Sequence, residues 1–160
     1  MLEINIGKHG DIFNLPQNGE AVCVTTNGIV KQDGCAVMGA GIALTANNRF
    51  NLAPKLGRYI TQYGNRAFNL GYHQILAPNG EMIVFTIFSF PTKHHYKDNS
   101  DVTLICKSAE QLMEMCTKFG ITKCYLTRPG CYCGKLNWET TVKPWLSQIL
   151  DDRFIVVNRE

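Results

Sequence analysis

With 160 residues, 45% hydrophobic and 18% charged, the chain has the make-up of one soluble globular domain spanning 1–160. The formal net charge of +3 is too small to mark a nucleic-acid surface, and no apolar stretch approaches the ~20 residues of a membrane span. Seven cysteines, an odd number, fit a reducing compartment, and the N-terminus lacks the layout of a secretory signal, so the cytoplasm is the expected location.

Leu2 to Ile6 alternates apolar and polar residues, the pattern of a half-buried strand, and Gly10-Asp11-Ile12 follows in a turn. Ala21 to Thr26 reads as a fully buried strand. It leads into a polar loop ending in Met38-Gly39-Ala40-Gly41-Ile42-Ala43, which opens a helix. A second helix runs from Leu52 to Tyr63, with Pro54 near its first turn and Gly64 past its end. Tyr72 to Ala77 and Met82 to Phe90 form a hairpin joined by Pro78-Asn79-Gly80.

Ser100 can cap a helix whose stripe is Ile105, Ala109, Leu112, Cys116 and Phe119, ended by Gly120. Lys123 to Thr127 is a short strand, followed by the loop Arg128 to Gly134. Asn137 caps a last helix to about Leu150, with Trp138, Val142, Trp145 and Ile149 facing inward and Pro144 kinking or splitting it. Phe154 to Val157 closes the chain as a strand. This order predicts an α/β sandwich with a mixed sheet. The loops after Val24, Ser89 and Thr127 then share one sheet end, where such folds place ligands.

Glycines at the strand-to-helix junction let backbone N–H groups approach an anion, and the helix N-terminus adds partial positive charge. Phosphate or pyrophosphate is the expected ligand, although an ordinary strand-to-helix turn accounts for the same residues. Gly34, Gly39 and Gly41 fit neither a dinucleotide fingerprint nor a nucleoside-triphosphate loop. No metal is expected: Cys131-Tyr132-Cys133 lacks a second pair at ligand spacing, and His94 and His95 are adjacent. Lys93, in a long loop, is either a solvated charge or, with a lowered pKa, a nucleophile or base.

Taken together, Gly10-Asp11-Ile12, Thr25-Thr26-Asn27-Gly28, Met38-Gly39-x-Gly41-Ile42-Ala43, Phe90-Pro91-Thr92-Lys93-His94-His95 and Arg128-Pro129-Gly130-Cys131 resemble the macro domain family, in its order and over nearly the whole chain. Within it the chain looks most like the bacterial and bacteriophage branch related to DNA ADP-ribosyl glycohydrolase antitoxins. The resemblance implies a three-layer α-β-α sandwich with a mixed central sheet, binding ADP-ribose without a cofactor.

Residue by residue, the resemblance implies that Asp11 and Ile12 bind the ligand, with Asp11 accepting from the adenine amino group; by sequence alone Asp11 reads first as a turn residue bonded to its own backbone, an order that the resemblance reverses. Asn27 would face the distal ribose, or serve the loop in a left-handed conformation beside Gly28. Met38, Gly39, Ala40, Gly41 and Ile42 would wrap the diphosphate, with Ala40 standing where the branch often carries a basic residue. Gly130, Cys131, Tyr132, Cys133 and Gly134 would form the second phosphate loop; Gly134 stands where some such hydrolases carry an assisting aspartate. Lys93 and Asn27 are the implied catalytic residues, and of His94 and His95 at most one is expected to face the site.

The implied function is hydrolysis that removes ADP-ribose from a nucleic acid or protein, by a monomer without membrane contact. ADP-ribose 1''-phosphate phosphatase activity and a non-catalytic reader module are the alternatives.

Overall fold

Ala21-Val22-Cys23-Val24 is apolar throughout because both faces of the strand it forms are covered. Val22 and Val24 enter one core, Ala21 and Cys23 the other. The computed structural model describes all residues, 1–160. Its strands are β1 (Leu2–Asn5), β2 (Ala21–Thr26), β3 (Asn69–Leu76), β4 (Met82–Pro91), β5 (Cys124–Thr127) and β6 (Phe154–Asn158). They form one sheet in the order β1-β6-β5-β2-β4-β3, parallel except for β3, which runs antiparallel to β4.

One face carries α1 (Gly41–Phe50) and α2 (Ala53–Tyr63), which bury Ala43, Ala46, Leu56 and Ile60 with Phe13 and Phe85. The other carries α3 (Val102–Phe119) and α4 (Lys143–Ile149), covering Phe88, Phe90 and Leu126. The result is the expected three-layer α-β-α sandwich with a mixed sheet. No helix is long and apolar enough to cross a membrane.

The departures from the sequence reading have local causes. β1 is an edge strand, and Leu2 and Ile4 are exposed rather than half-buried. β3 starts at Asn69, before the expected Tyr72, across a bulge that Gly71 accommodates at φ +91°. Asp101, not Ser100, caps α3 by accepting from the Thr103 N–H; Gly120 ends the helix as expected, at φ +67°, but Phe119 is exposed.

The last helix opens with a π-helical stretch, Trp138–Val142, in which the Val142 N–H reaches back to Asn137 O at 3.2 Å. That wider turn adds a residue to the spiral, so Leu146 and Leu150 are buried in place of the expected Trp145 and Ile149. Trp145 is 55% exposed. Pro144 sits in the first turn of α4, where its missing N–H costs nothing.

Candidate functional site

The chain leaves β2 toward the α1/α2 layer and leaves β5 toward the α4 layer, although β2 and β5 are neighbours. Loops that diverge in this way open a crevice at the C-terminal ends of parallel strands. A cleft of about 970 Å³ lies there, completed by the segment after β4 that carries Thr92, Lys93, Tyr96 and Ser100. An open depression around Met1, Leu150 and Arg153 is of another kind, since its charges pair with one another: the N-terminal ammonium with Asp152 at 2.7 Å and Arg153 with Asp151 at 3.0 Å.

Asp11 and Ile12 line the cleft from the segment that follows β1. Asp11 Oδ1 accepts from the Phe13 N–H at 2.9 Å and so caps the 3-10 turn Ile12–Asn14; Oδ2 accepts from Arg49 Nη1 at 2.8 Å. Arg49 lies over the rings of Phe13 and Phe50, 5.1 and 5.4 Å from their centroids. The turn role read from sequence is therefore real, and it leaves the carboxylate at the cleft.

Asn27 lines the cleft while bracing the loop after β2. Its Nδ2 donates to Val37 O at 2.9 Å and its Oδ1 accepts from the Ile29 N–H at 3.0 Å. Its φ is not positive, so the left-handed role considered for it is absent; Lys135 and Asn51 are the non-glycine residues with positive φ.

Met38, Gly39, Ala40, Gly41 and Ile42 all line the cleft. Met38 is buried and the backbone that follows is exposed. Helix α1 begins without a side-chain cap, because Ala40 occupies the cap position in extended conformation (φ −150°, ψ 159°). Its first-turn N–H groups, Gly41 to Ala43, have no intrahelical acceptor, and no acidic residue neutralises that end. A Cβ on Gly39 would meet nothing within 4 Å, whereas Gly41 holds φ +57° and faces Cys133 Sγ, 3.7 Å from where its Cβ would stand.

The second glycine loop therefore lies opposite the first. Gly130, at φ +76°, accepts from the Leu136 N–H at 2.9 Å, and Gly134 O accepts from the Ser100 N–H at 3.1 Å. A Cβ on Gly134 would run into Ser100 Oγ and lie 2.5 Å from Gly130 O, which gives the absence of an aspartate there a steric reason. Tyr132 and Cys133 are exposed and line the cleft. Cys131 stands outside it: its thiol points to Pro129 O at 3.4 Å and its N–H to Arg128 O at 3.3 Å, and burial pushes the thiol pKa to about 11.

Lys93 is half-buried on the wall between these loops. Its Nζ donates to Cys133 O at 3.2 Å and Tyr96 O at 3.5 Å, so it ties the segment after β4 to the second glycine loop. Neither His94 nor His95 lines the cleft, whereas His9 does. His94 Nε2 sits 2.8 Å from Asp101 Oδ2, a contact that, first among its causes, holds the Asp101 carboxyl below its ordinary value; His95 stacks on Tyr96 at 4.3 Å. No group of three His, Cys, Asp or Glu residues is placed to hold a metal ion.

No protein-family model matches the chain. Its structure is similar to the macrodomain of Mycobacterium tuberculosis DarG, with a TM-score of 0.69 and 22% identity over 99% of each chain. The chain has the macrodomain fold. It is similar as well to Thermosipho africanus DarTG in complex with ADP-ribose, with a TM-score of 0.71 and 20% identity; the match spans 98% of this chain and 41% of that one. In sequence it is 27% identical over 146 residues, 91% of this chain and 80% of the relative, to the ADP-ribose glycohydrolase OARD1 of Bos taurus.

Sequence reasoning missed several parts of this cleft. Arg49 is far from Asp11 in the chain, and nothing in a helix's last turn announces a partner across the fold. Ser100 forms part of the wall rather than a cap, and Lys8, Arg128 and Arg159 join the lining from three separate strand ends. Only sheet order could have brought those three together, and sheet order is not readable from spacing.

Proposed function

We propose that the protein binds ADP-ribose in this cleft and hydrolyses the bond joining it to a nucleic acid base or a protein side chain. The observation that carries the reading is the uncapped N-terminus of α1 facing the second glycine loop across Gly41 and Cys133, a backbone-built seat for a diphosphate. Asp11 suits an adenine amino group, which needs an acceptor. Asn27 and Lys93 then stand toward the distal ribose. Two relatives support the ligand: one is named an ADP-ribose glycohydrolase, and the other was solved with ADP-ribose.

Lys93 supplies the chemistry in this reading. Held by two carbonyl oxygens, its ammonium can give a proton to the departing group while water adds to the sugar carbon. After losing that proton, the same amine can add to the aldehyde of an opened ribose. A pure reader needs the two loops but no amine at this position. Seven free cysteines accord with the cytoplasm.

The test is direct. ADP-ribose should bind far more tightly than AMP, which lacks the second phosphate and distal ribose; equal or absent binding by calorimetry refutes the reading. Incubation with ADP-ribosylated DNA, ADP-ribosylated protein and ADP-ribose 1''-phosphate should consume one of the first two. Turnover of the third alone identifies a phosphatase, and turnover of none a reader.

A further inference from the structure

Strands β1, β6 and β5 are adjacent and parallel, so the residues just past their C-terminal ends emerge side by side. Each end delivers a cation to the cleft: Lys8 after β1, Arg159 after β6 and Arg128 after β5. Arg159 Nη2 donates to Lys8 O at 3.0 Å, which holds two of these residues together, and neither has a carboxylate partner.

Arg128 is more deeply set, its side chain 18% exposed, and its Nε is buried without a hydrogen-bond partner. Its Nη1 donates to Glu160 Oε1 at 3.2 Å, but that carboxylate's side chain is 75% exposed, and a solvated pair of this kind is weak. Two other acids nearby are already held by different partners. Asp11 is engaged by Arg49, and Glu3 by Lys143 and Trp138.

We infer that Lys8, Arg128 and Arg159 form a second anion subsite, which takes a phosphate carried on the adenosine ribose of the bound nucleotide. The inference rests on the proposed reading of the cleft, in which Asp11 marks the adenine end. Lys8 lies three positions before Asp11 in the loop after β1, and the sheet order puts β1, β6 and β5 on one side of β2, with β4, whose following segment carries Lys93, on the other. Guanidinium forks match phosphate oxygens in pairs, and Arg128 reaches a phosphate by exchanging the Glu160 carboxylate for it. Two ligands would put a phosphate there: a nucleotide with a phosphomonoester directly on the 2'-oxygen, or a further ADP-ribose unit whose own ribose occupies the 2'-oxygen and carries its nearer phosphate one sugar further out.

The experiment compares three ligands by calorimetry on the whole chain: ADP-ribose, its 2'-phosphate, and two ADP-ribose units joined through the 2'-oxygen. The 2'-phosphate should bind about tenfold more tightly than ADP-ribose, as one added hydrogen bond to a charged group supplies. That ratio should fall toward one at high salt. It should also fall in Arg159→Gln, an exposed position that leaves the core untouched, and in Arg128→Gln. A joined dimer matching the 2'-phosphate assigns the subsite to chains; a dimer no tighter than ADP-ribose assigns it to the monoester. ADP-ribose binding with no preference for either phosphorylated form, or a preference that survives Arg159→Gln and Arg128→Gln, overturns the subsite alone. Binding of none of the three overturns the underlying reading and the subsite with it.

Discussion

Arg49 Nη1 donates to Asp11 Oδ2 at 2.8 Å and joins the last turn of α1 to the turn that follows β1. The other carboxylate oxygen is fixed by the Phe13 N–H, so the acid is oriented by the fold before a ligand arrives. Asp11→Asn keeps an acceptor for that N–H and removes the charge. Calorimetry should show ADP-ribose binding weakened by roughly 1.5–3 kcal/mol, the range for a hydrogen bond to a charged group. Stability should change by less than about 1 kcal/mol, as for a surface ion pair. Wild-type affinity in the variant would reduce Asp11 to a cap.

Gly39 gives a cleaner probe of the diphosphate seat than Gly41. A side chain on Gly39 meets no protein atom within 4 Å, while Gly41 holds φ +57°, a conformation that costs a branched residue about 1–2 kcal/mol. Gly39→Val should therefore melt as the wild type does and fail to bind ADP-ribose. Gly41→Val should lose both stability and binding. A Gly39→Val protein that binds normally would place the diphosphate elsewhere.

The Gly134 backbone and Ser100 leave no room for a Cβ between them. Gly134→Ala should destabilise by about 1–3 kcal/mol in denaturant melts, the cost of overpacking a tight site. Adding Ser100→Gly should recover part of the loss, but not all, because Gly130 O also lies 2.5 Å from the new Cβ. Additive losses in the double variant would contradict the contact.

Lys93→Ala should reduce turnover of an ADP-ribosylated substrate at least about a hundredfold, the lower range for a positioned acid or base. ADP-ribose affinity should stay near wild type, since the glycine loops hold the diphosphate. Joint loss of binding and turnover would make Lys93 a clamp that keeps the second loop closed through Cys133 O.

Asp101 links pH to the segment that carries Lys93. Its folded pKa is lowered, first by the His94 hydrogen bond, so its stabilising effect is complete above the unfolded value of about 3.9 and is lost as pH falls through the lower folded value. Asp101→Asn retains a good cap for α3. Its melting deficit against wild type, about 0.2–1 kcal/mol at pH 6, should vanish near pH 2. A deficit independent of pH would mean that the charge contributes nothing.

Much of this protein was legible in its sequence because local signals agreed with one another. Period-two and period-3.6 patterns located the strands and α2 and α3, and the glycines marked both loops of the cleft. What was not legible depended on distant neighbours or on subtle backbone choices. The π-helical stretch at Trp138–Val142 rotates everything after it by one residue, and no side chain signals that choice. Cys131 and Cys133 look alike in the chain, yet only Cys133 reaches the cleft, because the turn at Gly130 sends its neighbour's thiol back toward Pro129.

The uncapped start of α1 is made of main chain, and main-chain amides neither titrate nor change with the residue that bears them. Drift at Ala40 can alter the charge of the rim while the recognition element stays the same. Such a design separates two kinds of inheritance. In the proposed reading, the anion seat passes on with the backbone, and the choice of target is left to the side chains at the mouth.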